Sequence, residues 1–235
     1  MPFGMFYIDY TYIYFIVPAI LVSLLASIWV KSSFSKYSKI QNRRGLTGSQ
    51  AAYNVLVTHG ITNVKIEHIK GSMTDHFDPR TNTIRLSDTV YNCSTIAAVG
   101  VAAHEAGHAV QHATGYVPNK IRGAIVPLVN IGSKLSWVLI LIGLLLPVQY
   151  DIVLYIGIAF FSLSVLFSLV TLPVEFNASK RALQTLKSTN MLNAEDEYAG
   201  ARKVLTAAAM TYVAAAFSAI MNLLRLLVIA GRRRR

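Results

Sequence analysis

Cysteine is almost absent. Cys93 stands alone among 235 residues, so no intrachain disulfide can form, and a reducing compartment is permitted. Charge is scarce as well: 14% of residues are charged against 54% hydrophobic, too apolar for an ordinary soluble domain and suited to several membrane segments. Acids are the scarcer sign, 11 Asp and Glu against 22 Lys and Arg, for a net charge of +11. No RNA or DNA module is readable, and the basic residues lie beside apolar runs. The excess therefore points to anionic lipid headgroups and not to nucleic acid. There is no internal repeat, and no low-complexity block apart from Arg232 to Arg235.

What is present in quantity is long apolar sequence. Residues 10 to 30, beginning Tyr10-Thr11-Tyr12-Ile13, are uncharged for about 20 residues, enough to cross a hydrocarbon core about 30 Å thick. Asp9 precedes the segment where a signal peptide would have a basic stretch, and no A-x-A site follows, so a retained anchor is expected. Apolar runs from Ala124 to Pro147 and from Ile152 to Leu172, joined by the turn Pro147 to Asp151, predict a transmembrane hairpin. Asn130 and Lys134 interrupt its first half, with Lys134 snorkelling or facing protein.

Residues 1 to 9 and the turn carry no Lys or Arg, whereas Lys31, Lys36, Lys39, Arg43 and Arg44 follow the anchor. By the positive-inside tendency the N-terminus and the turn lie outside, and residues 31 to 123 and the stretch after Leu172 lie inside. Glu195, Asp196 and Glu197 suit a solvated helix start, and 204 to 230 is long and apolar enough to span. Thr211, Ser218, Asn222 and Arg225 fall on one stripe of it, and a crossing would put the terminal arginines outside. A helix packed on protein, non-crossing or partly embedded, is therefore expected there.

Between the anchor and the hairpin, Thr47 to His59 reads as a short helix capped by Thr47 or Ser49 and ended by Gly60. Val64 to Ile69 and Thr83 to Ser87 alternate as strands, with Gly71 to Asp78 a loop between them. Ser94 is expected to cap an Ala-rich helix from Thr95 to about His112. At about 90 residues this region buries only a marginal core by itself and is expected to lean on the membrane helices. The overall expectation is a mainly α membrane protein with a small α+β zincin-like core and three to four transmembrane helices. Its parts are an anchor (1–30), a cytosolic core (31–123), a hairpin (124–173), and a Glu-bearing helix followed by a C-terminal apolar helix with a basic tail (174–235).

That Ala-rich helix contains His104-Glu105-Ala106-Gly107-His108. Histidines four apart share one helix face and can grip one zinc ion, and the Glu between them can act as base toward a zinc-activated water. A catalytic zinc normally takes a third protein ligand. Gln111 and Thr114 occupy the positions where a third histidine of the longer HExxHxxGxxH motif would require Gly and His, and His112 lies about 12 Å along the axis from His104. The third ligand is expected to be Glu175, in Leu172-Pro173-Val174-Glu175-Phe176-Asn177-Ala178-Ser179, a carboxylate at the first turn of a helix just after a span. The competing explanation is that Glu175 only complements a helix dipole, and Glu195 and Glu197 are weaker rivals.

An Ala-His-Glu-Ala-Gly-His-Ala-Val-Gln helix, an apolar hairpin and then Leu-Pro-Val-Glu-Phe with Ala-Ser resembles the YugP-type neutral zinc metallopeptidases of bacterial membranes. Gly45-Leu46-Thr47-Gly48 and Asp75-His76-Phe77-Asp78-Pro79-Arg80 fit the same family, so the likeness covers most of the chain. More distantly, the order of HExxH, hairpin and Glu is similar to the HtpX and Ste24 classes of membrane gluzincins. In those an Asp four residues after the Glu supports the metal site; here Ser179 holds that place, with Asn177 or Asp75 as possible substitutes.

The resemblance implies a membrane-bound endopeptidase with Zn2+ held by His104, His108 and Glu175 and with Glu105 as its base, acting on protein or peptide substrates near the cytoplasmic membrane face. Oxyanion donors are open among His76, Tyr91 and Arg181, whereas His59, His68 and His112 are expected to be structural. Thr83 to Ser87, the strand nearest the metal helix in sequence, is the expected substrate edge. An intramembrane protease is disfavoured, since no Asp lies between Ile152 and Leu172. The absence of acidic or His pairs in the spans disfavours a transporter. A non-catalytic scaffold retaining zinc is the alternative from another class.

Overall fold

The computed structural model describes residues 10–233; the expectations for residues 1–9, Arg234 and Arg235 lie outside them. A π-helical turn (Tyr12–Ile16) leads into α1 (Val17–Tyr37). There follow α2 (Gly48–Thr58), the strands β1 (Lys65–His68), β2 (His76–Asp78) and β3 (Thr83–Leu86), and α3 (Ile96–Ala113). Two long helices, α4 (Val117–Leu145) and α5 (Ile152–Ser188), are joined through a 3-10 turn at Val148–Tyr150, and α6 (Glu195–Arg233) completes the chain. Among the described residues four helices are long and apolar enough to cross a membrane: Tyr12–Tyr37, Val117–Leu145, Ile152–Ser188 and Glu195–Arg233. The protein is thus a mainly α membrane protein with a small α+β core.

The chain divides into two compact units. One comprises the N-terminal segment to Leu25, Arg122–Val170 and the segment from Val213 onward. Its core joins Ile140 of α4 with Leu154, Ile158, Phe161 and Val165 of α5 and Leu226 and Ala230 of α6. The α4 and α5 backbones meet at Gly143, where a Cβ would stand 2.6 Å from Leu154 Cα. Much of the remaining apolar surface faces outward, as at Leu25, Ile131 and Leu145, which suits lipid and not water.

The C-terminal helix, expected to be non-crossing or partly embedded, is one of the four long and apolar enough to cross, and within this unit it packs along the hairpin. Arg233 forms an ion pair with Asp151 at 3.3 Å and donates to the carbonyls of Gly143 (2.7 Å) and Leu146 (2.5 Å), so α6 runs alongside the hairpin as far as its turn. If the hairpin crosses, α6 crosses with it. The polar stripe does pack on protein: Ser218 meets Ser23 of α1 at 3.0 Å, and Arg225 donates to Thr11 and lies 3.9 Å from the Tyr12 ring. Arg233 also places a cation on the last carbonyls of α4, where the helix dipole favours it.

The second unit comprises Ala26–Ile121 and Thr171–Tyr212. The start of α2 is fixed by a capping box, in which Thr47 Oγ1 accepts from Gln50 N and Thr47 N donates to Gln50 Oε1; each such pair satisfies two amides that the first turn leaves open. At α3 the cap is Thr95 and not Ser94, because Thr95 Oγ1 accepts from Ala98 N at 3.2 Å. Small residues let α3 sit deep in this unit: Ala97, Ala98, Ala102, Ala103, Ala106 and Ala109 are all buried. They pack with Ala51 and Ala52 of α2 and with Ala182 and Ala201 of α5 and α6.

Two expectations about the sheet are overturned. Residues 76 to 78, expected in a loop, form the short strand β2, antiparallel to β3. It is held across the strands by Arg85, which donates to Asp78 at 3.0 Å and holds that carboxyl well below the usual range. The strand order is β1-β3-β2, with β1 parallel to β3. Thr83 to Leu86, expected at the substrate edge, is therefore the central strand, paired on both sides, and the free edges belong to β1 and β2.

Candidate metal centre

The α3 helix carries His104 and His108 one turn apart on one face, and α5 brings Glu175 against them. The approach depends on Gly107 between the two histidines: a Cβ there would stand 2.7 Å from the carbonyl oxygen of Ala178. A missing side chain thus lets the two backbones close up, three residues from Glu175 and one from Ser179. No new helix begins after the span as expected; α5 runs continuously from Ile152 through Pro173 to Ser188. Glu175 accordingly sits in mid-helix and not at a first turn, so complementing a helix dipole no longer accounts for its position.

His104 Nε2 and His108 Nε2 are 3.1 Å apart, and Glu175 Oε2 lies 3.3 Å from the first and 3.4 Å from the second. Ligand atoms at 2.0–2.1 Å from a tetrahedral zinc are separated by about 3.3–3.4 Å. The triangle therefore has the size of one face of a zinc tetrahedron. Its members are shielded but not sealed: Glu175 is 2% exposed and each histidine side chain 13%. Among the described residues this is a group of three able to hold a metal ion.

The opposite nitrogens of the two rings are also engaged. Gln111 Nε2 donates to Val174 O at 2.7 Å and to Asn177 Oδ1 at 3.0 Å, which fixes the amide orientation and leaves its Oε1 as the acceptor for His108 Nδ1 at 3.1 Å. His108 must then carry its hydrogen on Nδ1, and the Nε2 lone pair turns toward the triangle. Ser179 Oγ meets His104 Nδ1 at 3.0 Å. Burial works against charge on His108, but the hydrogen bond and charge of Glu175, together with the charge of Glu105, outweigh it and raise the pKa above the ordinary value. Three groups that share protons this closely are arranged for a cation to replace those protons.

Glu105 is 9% exposed and outside the triangle. The rivals to Glu175 are elsewhere: Glu195 is exposed, and Glu197, expected to be solvated, is buried and accepts from Arg43 N at 2.6 Å. Of the other candidates, His76 pairs with Thr74 O, Tyr91 packs against His68 and Arg181 donates to Asn177 Oδ1. Asp75 accepts from Ser87 and belongs to the sheet. His112 rests on Phe77. Sequence reasoning missed Gln111; its signal was a buried amide three residues after the second histidine, on the same helix face.

Residues 12–231 match the family described as "Putative neutral zinc metallopeptidase". A Bacillus subtilis (strain 168) protein named "Putative membrane protease YugP" is 43% identical over 218 residues, covering 93% of this chain and 96% of that one. No solved structure matches. A correspondence that runs from the first apolar helix to the last, through a cluster of zinc dimensions, is not confined to a motif: the chain belongs to the neutral zinc metallopeptidases, with zinc as cofactor.

Proposed function

We propose that the protein is a zinc-dependent endopeptidase of the membrane, with His104, His108 and Glu175 as metal ligands and Glu105 as general base. The observation that carries this reading is the triangle with 3.1–3.4 Å edges combined with a buried carboxylate, Glu105, that belongs to none of its corners. A structural zinc site closes with four protein ligands; a three-ligand site with a carboxylate beside it is the arrangement that hydrolysis needs.

Bound zinc would supply Lewis acidity, polarising the scissile carbonyl and acidifying water. Glu105 accepts a proton from the attacking water as its oxygen bonds to the carbonyl carbon, and returns that proton to the peptide nitrogen as the C–N bond breaks. Gln111 keeps His108 in the tautomer that ligation requires, and Ser179 helps to orient His104. The free edge of β2, on the strand whose Phe77 packs on His112 of α3, supports substrate binding by strand addition, which is tolerant of side-chain sequence. Lys31, Lys36, Lys39, Arg43 and Arg44, against no basic residue in the hairpin turn, support a cytoplasmic active site. Protein or peptide chains at the membrane are the corresponding substrates.

Elemental analysis of detergent-purified Glu105→Gln protein, beside Glu105→Gln/Glu175→Ala, tests the assignment. About one zinc per chain in the first, lost in the second, is expected. Unchanged metal in the double variant would remove Glu175 from the ligand set, and a folded, metal-free single variant would turn the reading to a scaffold. Wild-type protein that carries zinc but leaves peptide and membrane-protein substrates intact would also favour the scaffold.

A further inference from the structure

A cleft of about 660 Å³ in the second unit is lined by Lys180, Arg181 and Lys187 of α5 and by Tyr198 of α6, and no carboxylate lines it. Among the described residues none of the three cations forms an ion pair. The Arg181 guanidinium donates from Nε to Asn177 Oδ1 at 2.8 Å and lies 5.9 Å from the Tyr116 ring, and Lys187 Nζ stands 5.4 Å from the Tyr198 ring. Lys180 and Lys187 are seven residues apart, so they share a helix face at about 10 Å separation. Of the acids that open α6, Glu197 holds Arg43 N and Asp196 pairs with the Arg43 guanidinium, and Glu195 does not line the cleft. Like charges gathered in a concave surface raise the local potential and favour an anion there.

A second cleft of about 420 Å³ shares Lys180, Gln184 and Tyr198 with the first, adds Arg202, and is otherwise bounded largely by Phe176, Leu183, Leu205 and Ala209. Cations thus stand beside an apolar trough, which is the chemistry of an amphiphile with a charged head.

We propose that these adjoining clefts bind a phosphate group, held by Lys180, Arg181 and Lys187, with any attached hydrocarbon lying in the Phe176–Leu205 trough. An anionic phospholipid is the source that the trough favours, and a soluble phosphate is the other. Asn177 and Ser179, which line these clefts, also reach Gln111 and His104, so binding is tested on the inactive Glu105→Gln chain through lysines that touch neither.

Zinc-loaded, full-length Glu105→Gln protein is reconstituted in nanodiscs of phosphatidylcholine with and without phosphatidylglycerol. Retained phosphatidylglycerol is counted by native mass spectrometry, and inorganic phosphate binding is measured by calorimetry in detergent at low salt. Lys180→Ala/Lys187→Ala is expected to lose at least about tenfold in affinity, from two cations each worth about 1 kcal/mol near a phosphate. Lys180→Arg/Lys187→Arg is expected to retain it, and both variants should keep the parent's zinc content and elution volume. Loss of phosphatidylglycerol alone identifies a lipid site, and loss of inorganic phosphate binding a site open to soluble ligands. Equal retention by the parent and the alanine variant, or no binding of either probe to the parent, overturns the proposal while leaving the peptidase reading untouched.

Discussion

His108 Nδ1 faces Gln111 Oε1 at 3.1 Å, and the amide that receives it cannot turn, because its Nε2 is committed to the Val174 carbonyl at 2.7 Å. One glutamine therefore ties the orientation of a histidine on α3 to the backbone of α5 one residue before Glu175. Gln111→Ala removes that link without touching the triangle. Zinc affinity, measured by chelator competition at fixed pH, should fall about 10- to 100-fold with little change in helix content. An unchanged affinity would make Gln111 a packing residue only.

Ser179 reaches His104 Nδ1 at 3.0 Å. A hydroxyl is a weaker acceptor than a carboxylate, so the two substitutions there should act in opposite directions. Ser179→Ala is expected to weaken zinc by about tenfold, and Ser179→Asp to match or exceed the parent. The same competition assay reads both. Loss of binding in the aspartate variant would show that the shielded site around His104, 13% exposed, rejects a second carboxylate.

Much of this centre was legible in the sequence, because its main signals are local. Histidines four apart need only a helix, and Glu175 stood out as a carboxylate close behind an apolar run that otherwise gives it no reason to be there. The failures share a cause. β2 is three residues long and exists through pairing with β3 and the Asp78–Arg85 contact, neither of which appears in a local pattern. Glu175 was expected at the first turn of a helix after a span, yet α5 continues unbroken through that point. The central position of β3 follows from a parallel β1–β3 pairing that passes over β2, and sequence proximity to α3 carries no information about it.

At Gly107 of the HExxH segment, adding a single methyl group should be costly. A Cβ there would meet the Ala178 carbonyl oxygen at 2.7 Å, and backbone cannot swing aside as a flexible side chain can. Gly107→Ala is expected to destabilise by about 1–3 kcal/mol through overpacking and to separate α3 from α5, so that zinc affinity falls together with thermal stability. Gly231, with open space around its Cβ position, is the control: Gly231→Ala should leave both readings where they were. A Gly107→Ala protein with parental zinc affinity would mean that the two helices can part without opening the triangle.

The Arg233–Asp151 pair, 3.3 Å long with Asp151 buried, makes a prediction about topology that the charge pattern alone would not. Because α6 ends at the hairpin turn, an epitope placed after Arg235 should be accessible from the same side of the membrane as a label at Gln149. The single native cysteine makes the test clean: in a Cys93→Ser background, Gln149→Cys should react with an impermeant maleimide on intact cells, and an antibody to the C-terminal epitope should bind those cells without permeabilisation. Asp151→Ala leaves the Arg233 guanidinium with only the Gly143 and Leu146 carbonyls. Removing one member of a shielded ion pair costs about 3–5 kcal/mol when the other stays buried, so the end of α6 should loosen and become sensitive to protease from the labelled side. Labelling of Gln149→Cys without access to the epitope would place the two ends on opposite faces and break the pairing on which this topology rests.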